Sequence, residues 1–277
     1  MKAQGHLRKM AVQADANAVQ YGIRLDDQTF PLNQYLGQQV RIEFLNEIHC
    51  TACGRLSKKS FSQGYCYPCM TKLAQCDSCI MSPEKCHYDR GTCREPKWGE
   101  ENCMIDHVVY LANSSGIKVG ITRHTQIPTR WIDQGAAQAL PIARVATRQL
   151  SGLLEVIFKQ HVADKTNWRT LLKQDAAELD LAAKRDELFE ICHDEISELQ
   201  MEYGLQAVQL IYESDVNQFE YPVSAYPTKV TSFNLDKNPV VQGKLMGIKG
   251  QYLILDTGVI NLRKYTSYLV DVEIAAQ

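Results

Sequence analysis

The chain has 277 residues, 45% of them hydrophobic and 22% charged, with 30 Lys and Arg against 32 Asp and Glu. Such a composition excludes a disordered or collagen-like chain, and its near-neutral balance excludes a protein held to nucleic acid by bulk charge alone. No apolar run reaches the roughly eighteen residues a membrane helix needs, so a membrane partner is not expected. Length suggests about two compact units. Lys2, Arg8 and Lys9 open the chain with no apolar stretch after them. A secretory signal is therefore not expected, and a cytoplasmic, reducing compartment is.

Charge is unevenly spread. Residues 50–155 hold 13 basic and 9 acidic side chains, whereas residues 156–204 hold 6 and 11. The middle of the chain can therefore accept a phosphate ligand.

Residues 1–49 carry short apolar runs, Ala18 to Ile23 and Gln39 to Phe44, broken by Asp26-Asp27 and Pro31. The pattern predicts strands of a half-buried antiparallel sheet.

Residues 50–106 hold nine of the ten cysteines; Cys192 lies outside. In a reducing compartment clustered cysteines bind metal more often than they form disulfides. The first group reads Cys50-Thr-Ala-Cys53, twelve residues, then Cys66-Tyr-Pro-Cys69. Two such knuckles are what a tetrahedral structural zinc site requires, and a zinc ion with four thiolates has no open position for chemistry. The second group, Cys76, Cys79, Cys86, Cys93 and Cys103, with His87 and His107 nearby, is less regular. Thiolates suit either zinc or an iron–sulfur cluster; the spacings match no standard ferredoxin pattern, which favours a second zinc, and buried reduced cysteines are the plain alternative.

Residues 107–170 read as a strand over 108–112, a turn over 113–116 and a strand over 117–121. A helix containing Arg130 and Trp131 follows, then a strand over 142–146 and a helix holding Glu155. Leu150, Leu153, Leu154, Ile157 and Phe158 leave Glu155 bordering an apolar face, where a carboxylate marks a cleft or a buried pair. Residues 171–204 read as a helix, with Leu181, Leu188, Cys192, Ile196 and Leu199 at helical intervals and Gly204 as its stop. Residues 205–277 turn strand-like again. Gly243, Gly247, Gly250 and Gly258 between apolar runs predict turns or bulges in a small barrel or curled sheet, and Gly243 to Gly247 reads as a turn rather than a phosphate loop. The two β-rich ends are expected to pack together, since termini often lie close. The fold class is α+β.

The middle segment resembles the GIY-YIG nuclease domain over about residues 107–168, in motif and in element order. Val108-Val109-Tyr110 is similar to the first motif half, and Lys118-Val119-Gly120 to the second, with Lys118 in place of a tyrosine, as in divergent branches. Arg130 matches the family arginine, Glu155 its metal-binding glutamate and Asn167 its late asparagine. The whole chain also resembles a prokaryotic domain family of unknown function.

The nuclease resemblance implies a small mixed sheet with helices, following a zinc ribbon. It implies phosphodiester hydrolysis, with DNA the favoured nucleic-acid partner. Glu155 would hold Mg²⁺ or Mn²⁺, Tyr110 would orient or deprotonate the attacking water, and Arg130 would grip the phosphate. Lys118 and Arg123 would add charge, His124 is a neighbouring acid or base, and Trp131 would stack on a base. Two other classes stand beside this one: a non-catalytic nucleic-acid-binding or scaffold protein on the same fold, and a redox protein using the second cysteine group.

Overall fold

The computed structural model describes residues 1–275. The chain opens with five strands: β1 (Lys2–His6), β2 (Ala11–Asp15), β3 (Ala18–Leu25), β4 (Gln28–Pro31) and β5 (Gln39–Ile48). Two short helices, α1 (Tyr67–Lys72) and α2 (Pro96–Asn102), lie in the cysteine-rich stretch. The middle runs β6 (His107–Asn113), β7 (Ile117–Arg123), α3 (Thr129–Asp133), β8 (Gln138–Val145) and α4 (Arg148–Phe158). Helices α5 (Trp168–Leu171), α6 (Leu181–Ile191) and α7 (His193–Tyr203) follow. The chain closes with β9 (Val208–Leu210), β10 (Asn217–Gln218), β11 (Val240–Lys249), β12 (Tyr252–Leu255), β13 (Gly258–Asn261) and β14 (Tyr268–Ala275).

These strands make three antiparallel sheets, so the protein is a mixed α+β fold. One sheet runs β1–β14–β5–β11–β12–β13 and joins the two ends of the chain, with Lys2 opposite Glu273. A second is the meander β2–β3–β4. The middle sheet runs β10–β8–β6–β7, with β9 also on β8. Asp26, at φ 51°, makes the turn between β3 and β4.

β6 explains the layering. All seven of its residues are buried, because its sequence is apolar on both sides of the pleat. Val108, Tyr110 and Ala112 pack into the core formed by the terminal strands. Val109 and Leu111 pack on the other side with Leu150, Leu154 and Phe158 of α4 and with α6 and α7. Each of those α4 side chains contributes about 2 kcal/mol through burial. The middle sheet is thus a shared wall between a β layer and a helical layer. Short α3 is pinned from the β layer: Lys9 Nζ lies 2.6 Å from Asp133 Oδ2, and Gln251 Nε2 donates to Asp133 Oδ1 at 2.9 Å.

Two expectations are corrected. Residues 171–204 are not one helix: Asp180 caps α6 by accepting from the Ala183 N–H at 2.9 Å, and the chain breaks at Cys192 before α7. Gly243 and Gly247 are not a turn; both lie inside β11. They are there for close approach, since a Cβ on Gly243 would sit 2.4 Å from Thr257 Oγ1 and one on Gly247 2.8 Å from Val223 Cγ1. The turn comes at Gly250, with φ at 60°. Among the described residues no helix is long and apolar enough to cross a membrane.

Candidate metal centre and candidate active site

Cys50, Cys53, Cys66 and Cys69 bring their sulfurs within 4.8 Å of one another. Local backbone geometry does this. Cys50 O accepts from the Gly54 N–H at 2.9 Å, turning the first knuckle at a glycine with φ of 68°. Cys66 is the N-cap of α1, so Cys69 lies in its first turn. The Thr51 N–H donates to Gly64 O at 2.8 Å and holds the two knuckles side by side. The Cys53 and Cys66 sulfurs are 3.7 Å apart. A tetrahedron with zinc–sulfur bonds of about 2.3 Å has edges of about 3.8 Å. Burial opposes ionisation of Cys50, but backbone N–H groups of Cys66, Cys53 and Ala52 outweigh it and bring the thiol down to about 6. Cys69 moves the other way, to about 12, because it bonds to the Cys66 and Cys53 sulfurs. Four thiolates this close repel until a cation joins them, so this cluster can hold a structural metal such as zinc.

The second cysteine group divides. Cys79, Cys86, Cys93 and Cys103 line one pocket, beside Asp77 and His87. Burial first, then Asp77, Cys86, Cys103 and Cys93, push the Cys79 thiol up to about 11. Cys76 is not among the residues lining that pocket; burial pushes its thiol up, with a bond to Ser62 opposing. Cys192 is a small apolar residue in the helical core.

A different cluster forms at β7, the outer strand of the middle sheet. Tyr110 and Gly120 are cross-strand partners, and the tyrosine ring lies over the glycine: a Cβ there would meet the Tyr110 hydroxyl oxygen at 2.7 Å. The hydroxyl is enclosed and donates to Gln134 Oε1 at 3.2 Å. Burial pushes this phenol up, with the Arg130 guanidinium opposing. Lys118 Nζ donates to the same Gln134 oxygen at 2.6 Å and to Thr166 Oγ1 at 2.6 Å. Burial, then Arg130, lower its pKa to about 8.

Glu155 approaches from α4 on the helical side of the sheet, near enough to act electrostatically on Tyr110 and Lys118 without bonding to either among the described residues. Burial and then Asp164 raise its pKa. Neither Arg130 nor Glu155 has an ion-pair partner among the described residues. The Asp133 carboxylate that could have paired with Arg130 on α3 is taken by Lys9 and Gln251.

The remaining sequence candidates stand elsewhere. Trp131 is 1% exposed and wedged between Tyr110 and Phe219, so it is a core aromatic and offers no face to a base. Arg123 is opposite His107 on the other side of the pleat from Tyr110, with its guanidinium on Asn102. His124 is exposed in the following turn. Asn167 caps α5, accepting from the Arg169 and Thr170 N–H groups. His107 is buried, its Nδ1 on Ile105 O at 2.8 Å, with no place in the cysteine pocket. Sequence reading missed Gln134, which bridges Tyr110 and Lys118, and Asp164 and Thr166. Gln134 follows α3 and looks like the polar end of any short helix; its only sequence signal is its position four residues after Arg130.

A mixed α+β fold with a four-cysteine cluster able to hold a structural metal defines a class without defining a chemistry. The chain belongs to the family described as a protein of unknown function (DUF2797), whose model matches residues 37–270. No curated protein and no solved structure matches it.

Proposed function

We propose that the protein is a metal-dependent phosphodiesterase acting on nucleic acid, with DNA the favoured substrate. The resemblance to the GIY-YIG nuclease domain supplies the roles. What supports the reading is electrostatic: Arg130 and Glu155, neither with an ion-pair partner among the described residues, both act on the buried Lys118 of the edge strand β7. The order β6, β7, α3, β8, α4 also supports it.

The donors suit a hard divalent cation. Glu155 would offer an oxygen ligand, with Asp164 near enough to oppose its ionisation, and Mg²⁺ or Mn²⁺ needs only one or two carboxylates. Such an ion supplies Lewis-acid polarisation of phosphate oxygens. Arg130 grips the scissile phosphate through two N–H groups. Lys118, at about 8, is charged at neutral pH and can hand a proton to the leaving oxygen. Tyr110 is a positioning residue: its enclosed hydroxyl fixes Gln134, which in turn holds Lys118.

The test is cleavage of linear and supercoiled DNA with Mg²⁺ by wild type and by Glu155→Ala. Cleavage by wild type that falls at least about 100-fold in the variant supports the reading. Equal cleavage by both ends it. One observation favours a second reading, a non-catalytic binding or scaffold protein: the phenol at the centre of the cluster is sealed from water and pushed up in pKa. On that reading neither protein cleaves, and Arg130→Ala weakens DNA binding and flattens its salt dependence.

A further inference from the structure

We propose that Cys79, Cys86, Cys93 and Cys103 form a second metal site that takes an iron–sulfur cluster rather than a single zinc ion. The inference does not rest on phosphodiesterase activity.

Three observations carry it. The first is size. The four sulfurs of the Cys50 group lie mutually within 4.8 Å, as a mononuclear site demands, whereas the four sulfurs of the second set do not, although all line one pocket. Cysteines bound to different irons of a cluster stand farther apart than the ligands of one ion, because inorganic sulfide and metal fill the space between them.

The second is the backbone. None of the four belongs to a Cys-x-x-Cys knuckle with another; they are separated by six, six and nine residues. Cys79 sits in a 3-10 turn, Cys86 ends the next one, Cys93 is in a loop and Cys103 caps α2. Four separate turns therefore supply the four thiolates, rather than two local knuckles. Ile80 and Trp98 add apolar lining to that pocket.

The third is charge. The Nε of Arg148 is buried with no hydrogen-bond partner among the described residues, and the ionisable groups that favour its charge are Cys103 and Cys79. Its Nη2 donates to Ile80 O at 2.7 Å, on the pocket wall. A cluster bound by four thiolates carries net negative charge and satisfies this cation. The competing mononuclear set is Asp77, Cys79 and His87, whose donors do lie within 4.8 Å. That set offers only one thiolate, and its Asp77 Oδ2 also takes Arg94 Nε at 2.9 Å and lies 3.3 Å from His87 Nε2.

The experiment uses the full chain, purified anaerobically and incubated with ferrous iron and sulfide. Zinc, iron and acid-labile sulfide are counted per chain, and the spectrum is read between about 300 and 500 nm. The expected result is about one zinc, iron and sulfide in equal amounts of about two or four, and broad charge-transfer absorption. Cys93→Ser should lose the iron and the absorption while keeping its zinc, which also shows that the chain has folded. Cys76→Ser should keep both. Two zinc ions with no iron, one zinc with no iron after reconstitution, or iron that survives Cys93→Ser would each overturn the assignment. So would loss of iron in Cys76→Ser with zinc retained.

Discussion

The Cys50 site and the cluster at the β7 edge are built on opposite plans. The four sulfurs of the first come from a stretch of twenty residues and are set by two local turns. The side chains of the second come from β6, β7, α3 and α4, and from both sides of one sheet. A locally built site can form once its metal binds, whereas a dispersed one exists only if the layers on both sides of β6 pack correctly. Damage to the first should therefore stay local, and damage to the core should reach the second.

The largest expected effect is on the metal. Cys66→Ser, or removal of zinc by a chelator, should cost more than about 3 kcal/mol locally. Limited proteolysis should then cut within residues 50–72 while β6 to β8 resist; if the middle sheet opens at the same rate, the two regions are not independent. Trp131→Ala comes next. Its ring joins Tyr110 to Phe219 in the core shared by the sheets, so its loss should cost about 3–5 kcal/mol in urea unfolding. The zinc content of this variant should not change.

His107 gives an acid-sensitive link at the start of β6. Burial, with Arg148 and Arg123 adding to it, lowers its pKa to about 4. The unfolded chain binds this proton below about 6.5, so stability holds above that pH and drains away as pH falls towards 4, by up to roughly 3 kcal/mol. In His107→Phe the slope of stability between those pH values should shrink; an unchanged slope would assign it to other groups. Gly120→Ala should cost about 1–3 kcal/mol, since the new methyl group displaces the enclosed Tyr110 ring. The smallest effect sharpens the comparison most. Arg130→Ala should cost no more than about 1 kcal/mol, because no ion pair among the described residues depends on it and the Tyr110 hydroxyl keeps its bond to Gln134. A cost of several kcal/mol would make Arg130 structural and remove its free guanidinium from the site.

Some of this was readable from the amino acids. Cys50 to Cys69 declared a four-sulfur cluster able to hold a metal, because the spacing of paired knuckles is itself the geometry. The strands around Tyr110 and Gly120 were visible as apolar runs parted by a Gly-containing turn. Other readings failed for identifiable reasons. Trp131 looked available to a base because a five-residue helix has too few positions to show which side is buried. Gly243 and Gly247 looked like a turn because the reason for their missing side chains, Thr257 and Val223, belongs to other segments. The long helix hid a break at Cys192, since the apolar interval runs on through α6 and α7.

By itself, then, the order of residues determined what neighbours along the chain can enforce: knuckles, caps such as Asp180, and strands dense in apolar side chains. Tertiary structure alone decided that β1 and β14 share a sheet, that Trp131 is buried between Tyr110 and Phe219, and that Asp133 is held by Lys9 and Gln251. The division follows from range. Backbone turns are fixed by a few adjacent dihedral angles, whereas the partner of a buried side chain is chosen by close packing among segments that the sequence leaves hundreds of residues apart.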